Sequence, residues 1–202
     1  MEVTVKTNMD DKIIQDAINY IETLFKGNAD GHDAAHSLRV YHNAQRIVAS
    51  YPECDQLLVS LASLLHDVDD HKLFNTQNNA NARQFLNNSS IDPDTIDQIS
   101  KIINGVSFSN NKDKTPDTLE GKIVQDADRL DALGAIGIAR TFAYGGKNGR
   151  TLEESVQHFY DKLLLLKDTM NTEEAREMAE GRHAFLEMFI EQLKLENYSL
   201  FQ

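Results

Sequence analysis

The sequence is poor in residues that interrupt or cross-link a chain. Its 202 residues include 10 glycines, 3 prolines and a single cysteine, and no tryptophan. One cysteine, Cys54, cannot form an intrachain disulfide, and a chain without a CxxC pair has no thiolate zinc motif. The scarcity of glycine, proline and β-branched runs, beside long stretches of Leu, Ala, Glu, Lys, Asp and Gln, favours helix. We therefore predict one all-α domain, and we expect a reducing compartment, the cytoplasm.

Two further absences restrict the partners. The amino terminus lacks a basic segment followed by an apolar one, and no apolar run approaches the roughly 18 residues of a transmembrane helix. The chain carries 20 Lys and Arg against 32 Asp and Glu, a net charge of −12, so it lacks a basic surface for long nucleic acid. We therefore expect neither a membrane nor a long nucleic acid as a partner. An acidic protein can still bind a small anion where a metal and a few cations invert the local field.

The segment around which the chain is organised is LLVSLASLLHDVDDH, from Leu57 to His71. Apolar residues recur at helical spacing through most of it, which predicts a helix buried on most sides. Its last turn changes to ionisable residues: His66, Asp67, Asp69, Asp70 and His71. Such groups are costly to desolvate unless they are paired or bound to a cation. A metal site is one interpretation, and a solvated helix end is the other.

Two other predicted helices carry ionisable residues on apolar faces. The first runs from about Asp33 to Ala49 and includes His36, which is either a ligand or a core residue. The second begins at about Leu119 and places Asp128 in an apolar setting. Further amphipathic helices are predicted to begin at Asp10 or Asp11, at Pro93, and at two places after about residue 151. The segment from Gly145 to Arg150 is predicted to be a basic loop.

The order His36, His66-Asp67 and Asp128 resembles the HD superfamily of metal-dependent phosphohydrolases. HDAAHSLRV is similar to the family's first ligand segment, LLHDVDD to its paired His-Asp segment, and DADRLDALGAIGIAR to its distal aspartate segment. With FYDKLLLL and GRHAF, the similarity covers most of residues 20–190, and it is closest to small bacterial members that act on nucleotides. The resemblance implies a single HD-domain helical bundle over residues 1–202. Its metal-binding core would span about 20–145 and its carboxy-terminal helices about 151–197.

The resemblance also implies the metal ligands, which are His36, His66, Asp67 and Asp128. Two imidazoles and two carboxylates form a mixed nitrogen and oxygen set suited to divalent ions of the first transition row. We favour Mn²⁺, with Mg²⁺, Fe²⁺, Ni²⁺, Co²⁺ and Zn²⁺ as alternatives. Four protein ligands on an octahedral ion leave positions for water and a phosphate oxygen. We expect a single ion, because the Gly105–Ser107 region lacks the extra histidine with which some HD subgroups bind a second one.

A general acid or base is expected beside the metal ligand Asp67. Asp70 follows it by three residues, where many HD hydrolases carry a glutamate, so Asp70 is the candidate for proton transfer. Asp69 is the competing candidate. Asp70 can alternatively act only by orienting a ligand.

Phosphate binding requires cations besides the metal. Lys72, Lys162 and Arg182 are the predicted substrate-binding residues, and Arg39 and Arg129 stand beside predicted ligands. Any of them can instead form a surface ion pair, which typically contributes only about 0–1 kcal/mol.

Four functions are compatible with these residues. The resemblance favours hydrolysis of nucleoside or deoxynucleoside triphosphates to the monophosphate and pyrophosphate. A 5′-nucleotidase that releases phosphate is the enzymatic alternative. A non-catalytic nucleotide-binding HD module and a helical scaffold with a structural ion are the other two, and the intact ligand set disfavours the module. We expect a phosphorylated small molecule as partner, and a monomer or a homodimer.

Overall fold

The structure, a computed structural model, describes residues 2–27, 33–71, 73–111 and 114–196. Every regular element in these ranges is a helix, and they contain no strand, so the prediction of an all-α protein is confirmed. The α-helices in chain order are α1 (Glu2–Leu24), α2 (Ala34–Val48), α3 (Gln56–Leu65), α4 (Ala80–Asn88), α5 (Pro93–Val106), α6 (Phe108–Asn111), α7 (Leu119–Asp131), α8 (Gly134–Lys147), α9 (Leu152–Asp161) and α10 (Glu173–Glu196). Two 3₁₀ helices, Leu163–Leu165 and Lys167–Thr169, connect α9 to α10.

Several of these helices begin at a residue whose side chain caps the first turn. A side-chain oxygen there accepts hydrogen bonds from backbone amides that have no partner within the helix. The capping residues are Asp33 for α2, Asp55 for α3, Asp92 for α5, Thr118 for α7 and Thr151 for α9. The predicted bounds of α2 and the predicted start of α5 are therefore confirmed.

Helix α3 lies at the centre of the bundle, in contact with α1, α2, α5 and α7. All its residues from Leu58 to Leu65 are buried, and Leu61, Leu64 and Leu65 are completely inaccessible to solvent. Each such leucine contributes about 1.5–3 kcal/mol relative to an exposed one. The prediction of a helix buried on most sides is confirmed, and α3 thereby fixes the position of whatever follows its last turn.

The end of α3 lies within two residues of the predicted end at His66-Asp67, whereas the residues from His66 to His71, predicted as the last turn, are not helical. The helix ends at Leu65, and His66 is the residue that caps it. Nδ1 of His66 lies 2.8 Å from the carbonyl oxygen of Ser63, one of the carbonyls that a helix end leaves without a backbone partner. The chain then turns, with the amide of Asp70 donating to the carbonyl of Asp67 at 3.0 Å.

One predicted helix start is wrong, and one segment that begins at its predicted residue is divided into two helices. Helix α1 begins at Glu2, so Asp10 and Asp11 lie inside it and cap nothing. The segment from Leu119 onward is divided into α7 and α8 at Gly134, whose φ of +68° is incompatible with a continuous right-handed helix. Helix α8 then passes so close to α7 that a Cβ atom at Gly137 would collide with the carbonyl oxygen of Ala132. This glycine permits the close contact.

The carboxy-terminal helices are attached to α7 by a buried carboxylate. Asp126 is fully buried and accepts four hydrogen bonds, from the backbone amides and side chains of Asn171 and Thr172 immediately before α10. Burial raises the pKa of Asp126, although these hydrogen bonds oppose the shift. The hydrophobic core includes buried residues of α1–α5, α7, α9 and α10, and partly buried residues of α6 and α8 pack against it. The assignment of residues 1–202 to one domain stays a prediction.

No described helix combines the length and the apolar character that spanning a bilayer requires. The cytoplasmic location and the oligomeric state stay predictions.

Candidate metal centre

Four side chains from three parts of the chain converge beside the end of α3. The Nε2 atoms of His36 on α2 and His66 lie 3.3 Å apart. Oδ2 of Asp67 lies 3.4 Å from Nε2 of His36 and 3.5 Å from Nε2 of His66. Oδ1 of Asp128 on α7 lies 3.4 Å and 3.8 Å from the same two nitrogens. The structure therefore brings together all four residues of the predicted ligand set.

Local helix geometry explains this convergence. Helix α2 presents His36 on the same buried face as Val40 and Ile47, and this face packs against α3 and α7. Helix α7 presents Asp128 toward the same point. Because α3 ends at Leu65, the turn that follows it delivers His66 and Asp67 side by side.

The Nδ1 atom of each imidazole lies within hydrogen-bond distance of an acceptor oxygen. Nδ1 of His36 lies 2.7 Å from Oδ2 of Asp131, and Nδ1 of His66 lies 2.8 Å from the carbonyl oxygen of Ser63. A carboxylate and a carbonyl can only accept, so each Nδ1 carries the proton. In a neutral imidazole the lone pair then belongs to Nε2, the nitrogen that faces the cluster. Metal-binding histidines characteristically have this arrangement.

The electrostatics of the cluster favour a cation at its centre. Burial by itself lowers the pKa of His36, but its hydrogen bonds to Asp128 and Asp131 outweigh burial and raise the pKa to about 9. Burial raises the pKa of Asp128, but the two imidazoles reverse this and hold it below its usual value. The carboxylates thus stabilise positive charge where the two Nε2 atoms meet.

The donor atoms fit a divalent ion. Neighbouring ligands of an octahedral ion with bonds of about 2.1 Å lie about 3.0 Å apart, and opposite ligands lie about 4.2 Å apart. The separations of 3.3–3.8 Å measured here fall between these values. His36, His66 and Asp67 also offer ligand atoms that all lie within 4.8 Å of one another. Four side chains could therefore hold one ion, and a mixed nitrogen and oxygen set suits a transition metal.

Asp131 contacts the side of the His36 ring that faces away from the cluster. Only 3% of its side chain is exposed, and besides His36 it accepts from Nε of Arg39 at 2.7 Å and from the guanidinium of Arg140. Burial would raise its pKa, but the hydrogen bonds and charges of these three partners hold it well below its usual value. Asp131 therefore remains ionised and fixes the orientation of the His36 ring.

Replacing Asp131 by asparagine is expected to weaken metal binding by about 10–100-fold, the usual effect of losing the carboxylate behind a histidine ligand. The amide side chain has nearly the same shape but removes the charge that orients the ring. Isothermal titration of the metal-stripped protein with Mn²⁺ would measure the change. Asp97→Asn is the control, because its ion pair with Arg83 is exposed. Equal Mn²⁺ affinity in Asp131→Asn and the parent would show that His36 needs no such support.

A cavity of about 520 Å³ opens above the four-residue cluster. His36, His66, Asp67 and Asp128 form part of its wall, together with Asp69 and Asp70. Cations line it as well: Arg129, Arg140, Arg150 and Lys162. A cavity of this volume is of the size that small ligands occupy, and its cations distinguish it from the acidic protein as a whole.

The predicted substrate-binding residues have different positions. Lys162 lines the cavity, with Nζ 5.0 Å from the centre of the Phe108 ring. Arg182 does not line it; its guanidinium donates to the carbonyl of Leu130 and to the Asn43 side chain. Lys72 lies outside the described residues.

The structure distinguishes Asp69 from Asp70. Both oxygens of Asp69 accept backbone hydrogen bonds from the first turn of α4, from Asn81 at 2.9 Å and from Ala82 at 3.0 Å. Asp69 therefore caps α4 across the turn, a role for which Asn79, the residue preceding α4, provides no side-chain hydrogen bond. Asp70 lines the cavity.

Sequence reasoning missed several residues of the cavity wall. Arg140 and Tyr144 were not identified, although with Gly137 they recur at the spacing of one face of α8. His158 was also not identified, and Arg150 was assigned to an ordinary basic loop. The helical period of α8 was the available signal, and for His158 the sequence carried none.

The architecture and the site together define an all-helical protein in which two histidines and two aspartates form a candidate metal centre beside a cavity. The HD domain model matches residues 33–133, which contain all four clustered residues. The chain therefore belongs to the HD domain family, as its resemblance to that superfamily indicated.

Relatives extend this similarity over almost the whole chain. The uncharacterized protein YpgQ of Bacillus subtilis (strain 168) is 38% identical over 183 residues, which covers 87% of this chain and 89% of YpgQ. A crystal structure of YpgQ in complex with ADP superposes with a TM-score of 0.82 at 33% identity, covering 96% of this chain and 100% of that one. An HD-superfamily hydrolase from Bacillus thuringiensis gives a TM-score of 0.76 at 37% identity, covering 93% and 97%.

Proposed function

We propose that this protein is a nucleotide hydrolase that cleaves nucleoside or deoxynucleoside triphosphates to the monophosphate and pyrophosphate. In this proposal His36, His66, Asp67 and Asp128 hold one divalent ion, for which Mn²⁺ is favoured. The observation that carries the proposal is the convergence of these four side chains at a cavity whose wall bears several arginines and a lysine. An ion held there supplies a water of lowered pKa and polarises a phosphoryl oxygen.

The nucleotide class has two supports. The sequence resembles small bacterial HD hydrolases that act on nucleotides, and the similar protein YpgQ was crystallised in complex with ADP. The cavity of about 520 Å³ lies within the range of small-molecule and cofactor sites.

Asp70 is the residue we propose for proton transfer. A group in this role must lie beside the reacting centre, and Asp70 lines the cavity three residues after Asp67. Asp69 is disfavoured, because protonating its carboxylate would weaken the two backbone hydrogen bonds that begin α4. Asp67 takes part in catalysis by holding the ion.

Arg129 and Arg140 are suited to neutralise the phosphate nearest the ion. Arg129 lines the cavity, and its guanidinium donates to the carbonyls of Thr169 and Asn111. Arg140 is held by Asp131. Such fixed cations stabilise charge that develops at a phosphoryl group without having to reorganise during the reaction.

A nucleotide panel tests the proposal. Metal-stripped protein is incubated with each nucleoside and deoxynucleoside triphosphate, plus Mn²⁺, Mg²⁺, Co²⁺ or Ni²⁺, while phosphate and pyrophosphate are quantified separately. We expect pyrophosphate and a nucleoside monophosphate, with turnover only when metal is added. Release of orthophosphate in place of pyrophosphate would identify a phosphomonoesterase. Absence of hydrolysis with every pair of metal and nucleotide would contradict the proposal.

A further inference from the structure

The cations of the cavity wall form two groups at different places along α8. Arg140 lies near the metal ligands, because it binds the carboxylate that supports His36. Tyr144 follows Arg140 by one helical turn, about 6 Å along the axis, on the same face of α8. The guanidinium carbon of Arg150 lies 4.9 Å from the centre of the Tyr144 ring. Arg150 therefore stands farther from the metal ligands than Arg140.

His158 on α9 and Lys162 at its end also line the cavity. Lys162 lies against the Phe108 ring, whose centre is 5.9 Å from the guanidinium carbon of Arg129, so Lys162 is also near the inner cations. His158 and Lys162 are one turn apart, and the amide of Lys162 donates to the carbonyl of His158 at 3.1 Å. Both line the same cavity as Arg150. Burial lowers the pKa of His158, the charges of Lys162 and Arg150 lower it further, and the charge of Asp161 opposes them.

Aromatic rings position the two permanent cations of this group. Nζ of Lys162 lies 5.0 Å from the centre of the Phe108 ring, and Arg150 lies over Tyr144. Cation–π contacts restrain a charge without neutralising it. Within the described residues, no carboxylate lies within ion-pair distance of Arg150. In a chain of net charge −12, two ring-held cations beside a histidine provide a site for a multiply charged anion.

We propose that Arg150, His158 and Lys162 bind the terminal phosphates of a nucleoside polyphosphate while the phosphate to be cleaved lies at the metal ligands. This inference rests on the proposed function and specifies its substrate class. A substrate with a chain of phosphates would contact both the inner group, Arg129 and Arg140, and the outer group. A monophosphate would reach only the inner one. The outer group therefore selects for polyphosphates and retains the pyrophosphate after cleavage.

Binding of inorganic tripolyphosphate and of orthophosphate tests whether the inner and outer groups of cations bind different phosphates. Isothermal titrations use the full chain loaded with Mn²⁺, in excess Mg²⁺ so that tripolyphosphate does not remove the ion. We expect Arg150→Gln and Lys162→Gln each to weaken tripolyphosphate binding by about tenfold or more, since charge-assisted hydrogen bonds are lost. The affinity for orthophosphate is expected to be unchanged. His158→Gln should have a smaller effect of the same kind.

Two controls match these variants. Lys167→Gln removes a lysine from the same connecting segment that does not line the cavity, and Arg176→Gln removes a partly exposed arginine of α10. Neither should alter tripolyphosphate binding. Thermal unfolding establishes that each variant is folded. If Lys162→Gln does not fold, Arg150→Gln still decides the matter, because Arg150 is exposed and its loss leaves the core intact.

The outcomes distinguish this inference from the proposed function. If the parent hydrolyses triphosphates but Arg150→Gln and Lys162→Gln bind tripolyphosphate as tightly as the parent, the outer phosphate site is wrong and the hydrolase proposal stands. If the variants bind tripolyphosphate more weakly but the parent hydrolyses no nucleotide, the site stands and the hydrolase proposal fails. Equal weakening of tripolyphosphate and orthophosphate would also overturn the inference, because the two groups would then be one site.

Discussion

Replacing His66 by alanine is expected to remove the metal and the activity together. The substitution leaves three of the four converging donors, one imidazole and two carboxylates. A transition metal bound by two nitrogens and two oxygens loses most of its affinity when one nitrogen is removed. We expect metal content to fall to near the background found in metal-stripped protein. Elemental analysis after dialysis measures the content, and turnover of the preferred nucleotide is followed in parallel.

His42→Ala is the matched control, because His42 is an exposed histidine on α2 and lies outside the cluster. It should retain both metal and activity. The alanine at position 66 also removes the hydrogen bond to the carbonyl of Ser63, so thermal unfolding is needed to show that the variant is folded. Asp128→Asn provides a second test that leaves this helix end intact. Full metal content in both variants would refute the proposed ligand set.

The convergence of these four side chains could be predicted because each belongs to a strongly patterned helix. His36 lies on the apolar face of α2, and Asp128 lies between the apolar residues of α7, so the helical period alone directs both toward the interior. His66 and Asp67 follow the most apolar helix of the chain. The resemblance to the HD superfamily then joined three separate segments into one site, which periodicity by itself could not do.

Other features depend on tertiary contacts that no local pattern records. Asp131 contacts His36 and Arg39 across 95 and 92 positions, respectively. Nothing in the spacing of Arg150 indicated that it faces the cavity, because its orientation depends on the ring of Tyr144, three residues before the end of α8. The end of α3 is likewise accompanied by a hydrogen bond from the His66 ring to a backbone carbonyl, which the apolar and acidic pattern does not indicate.

The sequence also gives little basis for deciding whether Asp69 or Asp70 transfers a proton. In the sequence, only the resemblance to HD hydrolases that carry a glutamate three residues after Asp67 favours Asp70 over Asp69. The position of α4 adds a structural difference between the two aspartates. Because the amides of Asn81 and Ala82 contact both oxygens of Asp69, that residue has a structural role, and Asp70 is left as the candidate for proton transfer.

Replacing Asp70 by asparagine is therefore expected to leave the metal in place and to lower turnover by about 10²–10⁴-fold, the usual contribution of a general acid or base. Asparagine keeps the size of the side chain but cannot exchange a proton. The measurement is the steady-state rate at saturating metal, together with metal content and the KM of the substrate. The metal content and KM should remain close to the parent values, because Asp70 is not among the four converging donors.

Asp69→Asn is the matched comparison for Asp70→Asn. It changes the neighbouring carboxylate in the same way, but its expected cost is about 0.5–2 kcal/mol of stability from a weakened cap on α4, with turnover largely retained. A proton-transfer role further implies that the residual rate of Asp70→Asn responds less to pH over the range that Asp70 controlled. If Asp70 only orients a ligand, the variant should bind metal more weakly and recover near-normal turnover once metal is saturating. A metal-saturated rate within a few-fold of the parent would thus assign Asp70 to positioning and leave proton transfer to water.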